Sequence, residues 1–361
     1  MGSVVGQISL FDGTQRFRIT KPIRLIELFA GIGSQAKALT NLGVEFEHWR
    51  VCEFDKYAVT SYNAVHGTDF KPSDIREIKG EELGITDTDK YCYILTYSFP
   101  CQDLSNAGKG AGMAKGSSTR SSLLWEVERL LTETKELPTV LVMENVPQVI
   151  SEKNIKDFSQ WVAFLDGLGY KSKWEILNAK DYGIPQNRER CFMVSMLGDY
   201  YYEFPARKYL KLKPIDLIDI SVDRKYYVSA KTKKAIEKTL GRYSHLLSNA
   251  PISRYNCRYG RNYRGTVVVY DDYNSKVKTD QSTICCITTN TAARSCRNGK
   301  KVIINGDVRI FTPKECWRFM GFTDEDIGKA VSVGISDSQL YKQAGNSIVV
   351  QVLEAIFGEM L

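Results

Sequence analysis

Histidine is scarce in this chain, and its cysteines form no pattern. Only His48, His66 and His245 occur, none beside a cysteine cluster; the nine cysteines follow no repeated spacing, and Cys285 and Cys286 are adjacent rather than two apart. Zinc sites take four ligands, usually in Cys-x-x-Cys or paired-His spacing, so no metal is expected. An odd, scattered set of thiols also excludes a disulfide framework and points to a reducing compartment. No apolar run approaches the ~18 residues of a membrane span, and Met1 to Pro22 lacks a charged-then-apolar leader. The resulting expectation is a cytoplasmic protein with no membrane partner.

What is present is an ordinary globular composition with lopsided charge. Of 361 residues, 43% are hydrophobic and 25% charged, enough for one large domain or a large and a small one. The formal net charge is +7. Between Asp199 and Gly306, 21 Lys and Arg stand against 9 Asp and Glu, while the remainder carries 28 against 33. The chain thus reads as a mildly acidic body with a basic insert. That insert holds 12 of the 20 tyrosines, several beside cations, as in Arg254-Tyr255, Arg258-Tyr259 and Tyr263-Arg264. Interleaved cations and aromatics suit a polyanion whose bases stack, and a solvated basic surface has the same composition.

The first half alternates strand-like runs (Ile23 to Phe29, Tyr91 to Tyr97, Thr139 to Met143) with helix-like segments (from Ser34, Ser121 to Leu131, Asp157 to Leu168). This is the rhythm of an α/β fold with a doubly wound, mostly parallel sheet. Beyond Tyr200 it fails, and short alternating runs (Gly265 to Tyr270, Ser282 to Thr289, Lys301 to Asn305) predict a small β-rich lobe. Helical patterning returns at Thr312-Pro313 with Glu315, an N-cap, first-turn Pro and N3 acid. The pattern divides the chain into four parts: an extension over 1–22, a large α/β domain over 23–198, a basic β-rich insert over 199–306, and a segment over 307–361 returning to the large domain.

Phe29-Ala30-Gly31-Ile32-Gly33-Ser34-Gln35-Ala36 comes after a strand and opens a helix, with the spacing of a nucleotide-binding glycine turn. Glu53 ends the next strand, where a carboxylate accepts ribose hydroxyls. On these residues a nicotinamide dehydrogenase and an S-adenosylmethionine enzyme are near equals, and a purely structural strand-to-helix turn stands beside them. Farther on, Cys101 in Ser98-Phe99-Pro100-Cys101-Gln102 lies just past a strand's C-terminal end, where doubly wound sheets carry their sites. The next strand runs into Glu144-Asn145-Val146 and brings a carboxylate to the same edge. Alternation in Gln186-Asn187-Arg188-Glu189-Arg190 would put Arg188 and Arg190 on one face.

Taken in order with Gln343-Ala344-Gly345-Asn346-Ser347, these motifs closely resemble those of the DNA cytosine-5 methyltransferases of bacterial or phage restriction-modification type. The resemblance covers nearly everything except the first twenty residues and the basic insert, and it implies that 23–198 is the catalytic and cofactor-binding domain and 199–306 the target-recognition lobe. It implies a class I, Rossmann-like methyltransferase fold, S-adenosylmethionine as cofactor, and a flipped-out cytosine in duplex DNA as substrate. Cys101 matches the nucleophile that adds to C6, Glu144 the residue at N3 and the exocyclic amine, and Arg190 the residue at the carbonyl. Arg188 lies beside it as an orienting or phosphate contact. Phe29, Gly31 and Gly33 match the methionine-side turn, Glu53 the ribose acceptor, Phe54 the adenine neighbour and Asp74-Ile75 the adenine-amine contact. Pro100 and Leu123 match wall residues, and Asn346-Ser347 the segment closing the pocket.

DNA contacts are expected from Gln102, Ser105, Arg254, Arg258, Arg261 and Arg264. The resemblance further implies a monomer, with a cognate restriction endonuclease, where one exists, encoded separately. Departures from the family pattern are Tyr97-Ser98 in place of two glycines, which should crowd the cofactor's approach, Ser73 in place of a Gly, and Cys286-Ile287-Thr288-Thr289 as a loose version of the element buttressing the flipped base. Two alternatives stand beside this reading: a tRNA cytosine-5 methyltransferase on the same core, and a DNA-binding protein with a vestigial catalytic core.

Overall fold

The apolar run opening at Ile23 becomes the second strand of a six-stranded sheet in a computed structural model, which describes residues 15–104, 112–117, 119–240, 255–256, 262–263, 268–271, 276–278, 283–293, 299–304 and 306–361. In chain order the elements are β1 (Gln15–Arg16), β2 (Ile23–Leu28), α1 (Ser34–Asn41), β3 (Phe46–Cys52), α2 (Lys56–His66), β4 (Cys92–Tyr97), α3 (Leu124–Glu133), β5 (Val140–Asn145), α4 (Ile155–Gly167) and β6 (Tyr170–Asn178). Strands β7 (Gln186–Asn187), β8 (Glu189–Leu197) and β9 (Tyr200–Tyr201) come next, then α5 (Pro214–Leu217) and α6 (Ala230–Leu240). After them stand β10 (Tyr255–Asn256), β11 (Asn262–Tyr263), β12 (Val268–Asp271), β13 (Lys276–Lys278), β14 (Ile284–Cys285), β15 (Lys300–Ile304) and β16 (Asp307–Ile310). The chain ends through α7 (Pro313–Arg318), α8 (Asp324–Ser332), α9 (Asp337–Asn346) and α10 (Val350–Gly358).

Two compact units divide the chain: the first comprises the described part of Met1–Leu177 with Glu189–Ala206 and Val352–Leu361, the second the described part of Asn178–Arg188 and Arg207–Gln351. The first unit carries the large sheet, in the order β3-β2-β4-β5-β8-β6. Pairings β2–β3, β2–β4 and β4–β5 are parallel and β5–β8 is antiparallel. Every residue of β4 is buried, as in a parallel strand covered on both faces. The progression reverses direction between β2 and β4, and such a switch point opens a crevice at the strands' C-terminal ends. Glycine turn 29–33 and the Cys101 loop leave the two strands that flank it.

The first unit also takes in the described part of the N-terminal extension. Strand β1 pairs in parallel with β9, Phe17 is buried edge-on to Tyr200, and the Ile19 N–H donates to the Met360 carbonyl (2.7 Å).

In the second unit, β13-β12-β15-β16 form an antiparallel sheet of four, the β-rich lobe expected from the alternating runs. Helix α6 interrupts that pattern, and the alternating runs give no sign of it. The capping box at Thr312 forms as the residues spell it: Thr312 Oγ1 accepts from the Glu315 N–H (3.1 Å), and Glu315 Oε2 from the Thr312 N–H (2.8 Å). The C-terminal segment beyond this box departs from the sequence reading, because residues 307–351 group with the second unit and only Val352–Leu361 rejoins the first. The physical reason is local: β16 pairs with β15, and buried Arg309 of β16 grips Glu315 of α7 (2.7 Å) and the Asp219 carbonyl (2.6 Å).

Candidate active site

Hydrogen bonds fix the described part of the loop that leaves β4. Asn145 Nδ2 donates to the Phe99 carbonyl (2.9 Å) and Ser121 Oγ to the Pro100 carbonyl (2.7 Å). Asp103 Oδ2 accepts from the Arg120 N–H (2.8 Å), and Arg120 Nη1 donates to Gln102 Oε1 (2.7 Å). Cys101, between these anchors, packs its inner side on the core and keeps part of its surface in solvent, whereas Cys52, Cys92, Cys191 and Cys316 are buried. Burial pushes the Cys52 and Cys92 thiols up to about 11 and Cys191 higher still, with the Glu144 charge adding to the last. These thiols stay protonated, which makes them hydrocarbon-like packing groups rather than nucleophiles.

The carboxylate reaches the same edge because β4 and β5 run parallel, with Tyr97 opposite Met143. One residue on, Glu144 stands opposite Phe192 of antiparallel β8, and Arg190 two residues before Phe192 shares that face. Arg190 Nε lies 3.0 Å from Glu144 Oε1, with both side chains only partly exposed. A carboxylate and a guanidinium side by side present acceptors and donors together at this edge.

The glycine turn is held in left-handed backbone: φ is +58° at Phe29, +58° at Gly31 and +77° at Gly33. For Phe29 this conformation costs about 1 kcal/mol or more, the kind of local strain that collects at binding sites. The two glycines have different reasons to be glycine. A Cβ on Gly33 would come within 2.3 Å of His66, while one on Gly31 would meet nothing within 4 Å, open space for a ligand against the backbone. Glu53 accepts from the Gly31 N–H (2.9 Å) and the Asp55 N–H (2.8 Å); burial raises its pKa against the pull of those bonds. Beside it Phe54 is 74% exposed, a large aromatic left bare at the turn's rim. Ile75 is buried, and Asp74 is held below the usual carboxylate range by Arg76, whose Nε lies 3.0 Å away. Pro100 and Leu123 are half-buried, Leu123 closing the short turn Arg120–Leu123.

The sequence model of the family described as C-5 cytosine-specific DNA methylase matches residues 23–361. The chain belongs to that family. A type II methyltransferase, M2.ScrFI of Lactococcus lactis subsp. cremoris, is 32% identical over 94% of this chain and 99% of its own length. The orphan methyltransferase M.SssI of Spiroplasma monobiae is 29% identical over 94% and 98%. Among solved structures, the Entamoeba histolytica methyltransferase EhMeth matches with a TM-score of 0.68 at 18% identity over 94% of this chain and 98% of that one, and S. pombe Dnmt2 with 0.65 at 19% over the same shares. Those two show the fold. The protein is a DNA cytosine-5 methyltransferase of bacterial and phage type, and the nicotinamide reading of the glycine turn falls away.

Not every candidate residue of this methylase sits where the sequence placed it. Arg188 does not share a strand face with Arg190: the run is cut between them, β7 pairing with β14 and β8 joining the large sheet. Arg188 is 4% exposed in the second unit and donates to the carbonyls of Ile287 (2.8 Å), Ser347 (2.6 Å) and Gly345 (3.2 Å), so it is no phosphate contact. Cys286 and Ile287 wrap that guanidinium, and Gly345 lies so close to Thr289 that a Cβ would come within 2.2 Å of its nitrogen. Asn346 ends α9 and Ser347 caps it, both in the second unit. Tyr97 crowds nothing: its ring is in the core and its hydroxyl accepts from Trp161 Nε1 (3.0 Å). Of the DNA-contact candidates, Gln102 is exposed, while Ser105, Arg254, Arg258, Arg261 and Arg264 lie outside the described residues. Sequence reasoning missed Asn145 and Ser121, whose only signal was an amide beside the carboxylate and a Ser at the mouth of a helix. Among the described residues no group of His, Cys, Asp and Glu is arranged to hold a metal, and no helix is long and apolar enough to cross a membrane.

Proposed function

We propose that the Cys101 thiolate adds to C6 of a cytosine turned out of duplex DNA, with Glu144 and Arg190 holding the pyrimidine's polar edge. What supports this is one observation above the others: Asn145 Nδ2 ties the Phe99 carbonyl, two residues before the sulfur, to the strand end that carries Glu144. Nucleophile and carboxylate are thereby held on one edge by a single bond. Cytosine C5 is too weak a nucleophile to accept a methyl group directly. Formation of the S–C6 bond pushes the C5–C6 electron pair into the ring toward C5 and N3; N3 takes a proton from the Glu144 carboxyl, and Arg190 donates to the carbonyl oxygen. After methylation at C5, water takes the C5 proton, the S–C6 bond breaks to release the Cys101 thiolate, and N3 returns its proton to Glu144, leaving 5-methylcytosine.

The turn fits S-adenosylmethionine: open backbone at Gly31, a half-buried carboxylate at Glu53 for ribose hydroxyls, and bare Phe54 for an adenine face. That cofactor supplies an electrophilic sulfonium methyl. Phe29, Gly31 and Gly33 would hold its methionine end, Glu53 and Phe54 its nucleoside, Asp74 and Ile75 the adenine amine, Pro100 and Leu123 the walls. The basic insert grips DNA phosphates and reads base edges. The working form is a monomer on cytoplasmic bacterial or phage DNA, needing no metal; the orphan relatives fit action without a partner endonuclease.

The test is a duplex of cognate sequence carrying 5-fluorocytosine, since fluorine does not leave as a proton does. With S-adenosylmethionine the protein should form an adduct stable to denaturation, mapped to Cys101. Methyl transfer to normal duplex without any such adduct would overturn the covalent route.

A further inference from the structure

Beneath the glycine turn lies a buried polar cluster that the methyl-transfer steps do not use. Glu27, two residues before Phe29, is fully buried. Its Oε2 accepts from the Tyr62 hydroxyl of α2 (2.5 Å), and its Oε1 from the Ala36 N–H in the first turn of α1 (3.4 Å). His48 of β3 places Nδ1 2.8 Å from the same Tyr62 oxygen. His66 Nε2 donates to the Ile32 carbonyl (3.1 Å), and its ring lies on Tyr62 with centroids 4.6 Å apart. Among the described residues Tyr62 of α2 is the titratable group that bonds Glu27, with His48 of β3 and His66 of α2 behind it on Tyr62; β4 sets Thr96 opposite Glu27, α1 offers it a backbone N–H, and no cation bonds it.

We propose that Glu27 is a positioning residue for the cofactor turn, and that gain of one proton at its carboxylate, relayed through Tyr62 to His48, loosens the turn and weakens S-adenosylmethionine binding. The inference rests on the cofactor reading above. Helix α1 has Gly33 at its N-cap and no side-chain cap. Glu27 supplies the missing acceptor from the neighbouring strand, and its negative charge suits the helix N-terminus.

The ionised carboxylate only accepts, so Tyr62 donates to it and His48 Nδ1–H donates to Tyr62. A protonated Glu27 donates instead. The Tyr62 hydroxyl must then turn to His48 Nδ1, and the ring proton moves to Nε2. The neutral acid is also a poorer acceptor for Ala36. Burial lifts the Glu27 pKa to about 7 and lowers that of His48, so the proton enters at Glu27 in the neutral range. The turn has no slack to absorb the change, since Gly33 is packed on His66 and Tyr62. The cofactor's net positive charge favours the ionised form as well, so both effects have one sign: affinity rises as pH climbs through the neutral range. By reciprocity, cofactor binding expels protons from Glu27.

The experiment is calorimetric titration of the full chain with S-adenosylmethionine from about pH 6 to about pH 8, in paired buffers of different ionisation heat. The dissociation constant should fall about fivefold across that range, with proton release at neutral pH. In Glu27→Gln both signals should flatten, and Tyr62→Phe, which removes a donor to the carboxylate, should move the midpoint upward. Affinity that ignores pH, or a pH dependence that survives in Glu27→Gln, overturns the proposal while leaving the cofactor reading intact. Absence of binding at every pH overturns both. If Glu27→Gln fails to fold, proton release by the unaltered protein decides.

Discussion

Arg188 and Arg190 stand two residues apart and live in different regions. Arg190 is the second residue of β8 at the rim of the large sheet, part-exposed, with Glu144 as its partner. Arg188 closes the excursion 178–188 into the second unit, almost without exposure, and directs its guanidinium at three backbone carbonyls. A charge at a rim keeps donors for a substrate at modest desolvation cost, whereas a sealed charge must satisfy itself inside the protein and becomes a rivet. Residue type is the same and only two positions separate them, so the function of each is set by which piece of backbone it was folded into.

The sharpest break between the two regions is at the thiol. Cys101→Ser should lower methyl transfer by roughly 10³-fold or more, while thermal stability stays near that of the parent, since the side chain is only part-buried. Arg188→Ala comes next, and its loss should register in stability. Three carbonyls lose a charged donor, so unfolding by urea should come early by about 3 kcal/mol, and Lys should not rescue it because one ammonium cannot fork to both sides. Arg190→Ala should do the reverse: about 10²-fold off kcat/KM on cognate duplex, with less than about 1 kcal/mol lost in stability. If the two variants exchange these signatures, the division into rim and rivet is wrong.

Much of this was legible in the residues, and the failures have physical causes. Strands β2, β4 and β5 are apolar runs long enough to declare themselves, and Thr312-Pro313-Lys314-Glu315 spells its cap in local bonds. Cys101, Glu144 and Arg190, the trio proposed to act on the base, lay at strand ends, where order along the chain already implies nearness in the sheet. Arg188 misled because alternation assumes an unbroken strand, and the cut after it depends on β14, which is far away along the chain. Glu27 was invisible for the opposite reason. A carboxylate in an apolar run carries no mark of burial until Tyr62 and His48 arrive from other elements to bond it.

Asn145 is the smallest predicted effect and the one that separates regions within the first unit. It is buried, its Oδ1 accepts from the Val146 N–H (2.9 Å), and its Nδ2 is the donor that holds the Phe99 carbonyl. Ala removes both bonds, and Asp replaces the donor with a buried charge facing a carbonyl oxygen. Methyl transfer should therefore drop about tenfold in Asn145→Ala and further in Asn145→Asp. The glycine turn hangs on β2 and is bonded by Glu53, so cofactor affinity should hold in Asn145→Ala. The decisive comparison is the rate of adduct formation with 5-fluorocytosine duplex against the S-adenosylmethionine dissociation constant in one preparation. A slower adduct at constant affinity assigns Asn145 to the placement of the sulfur; both quantities moving together would make it a general support of the sheet edge.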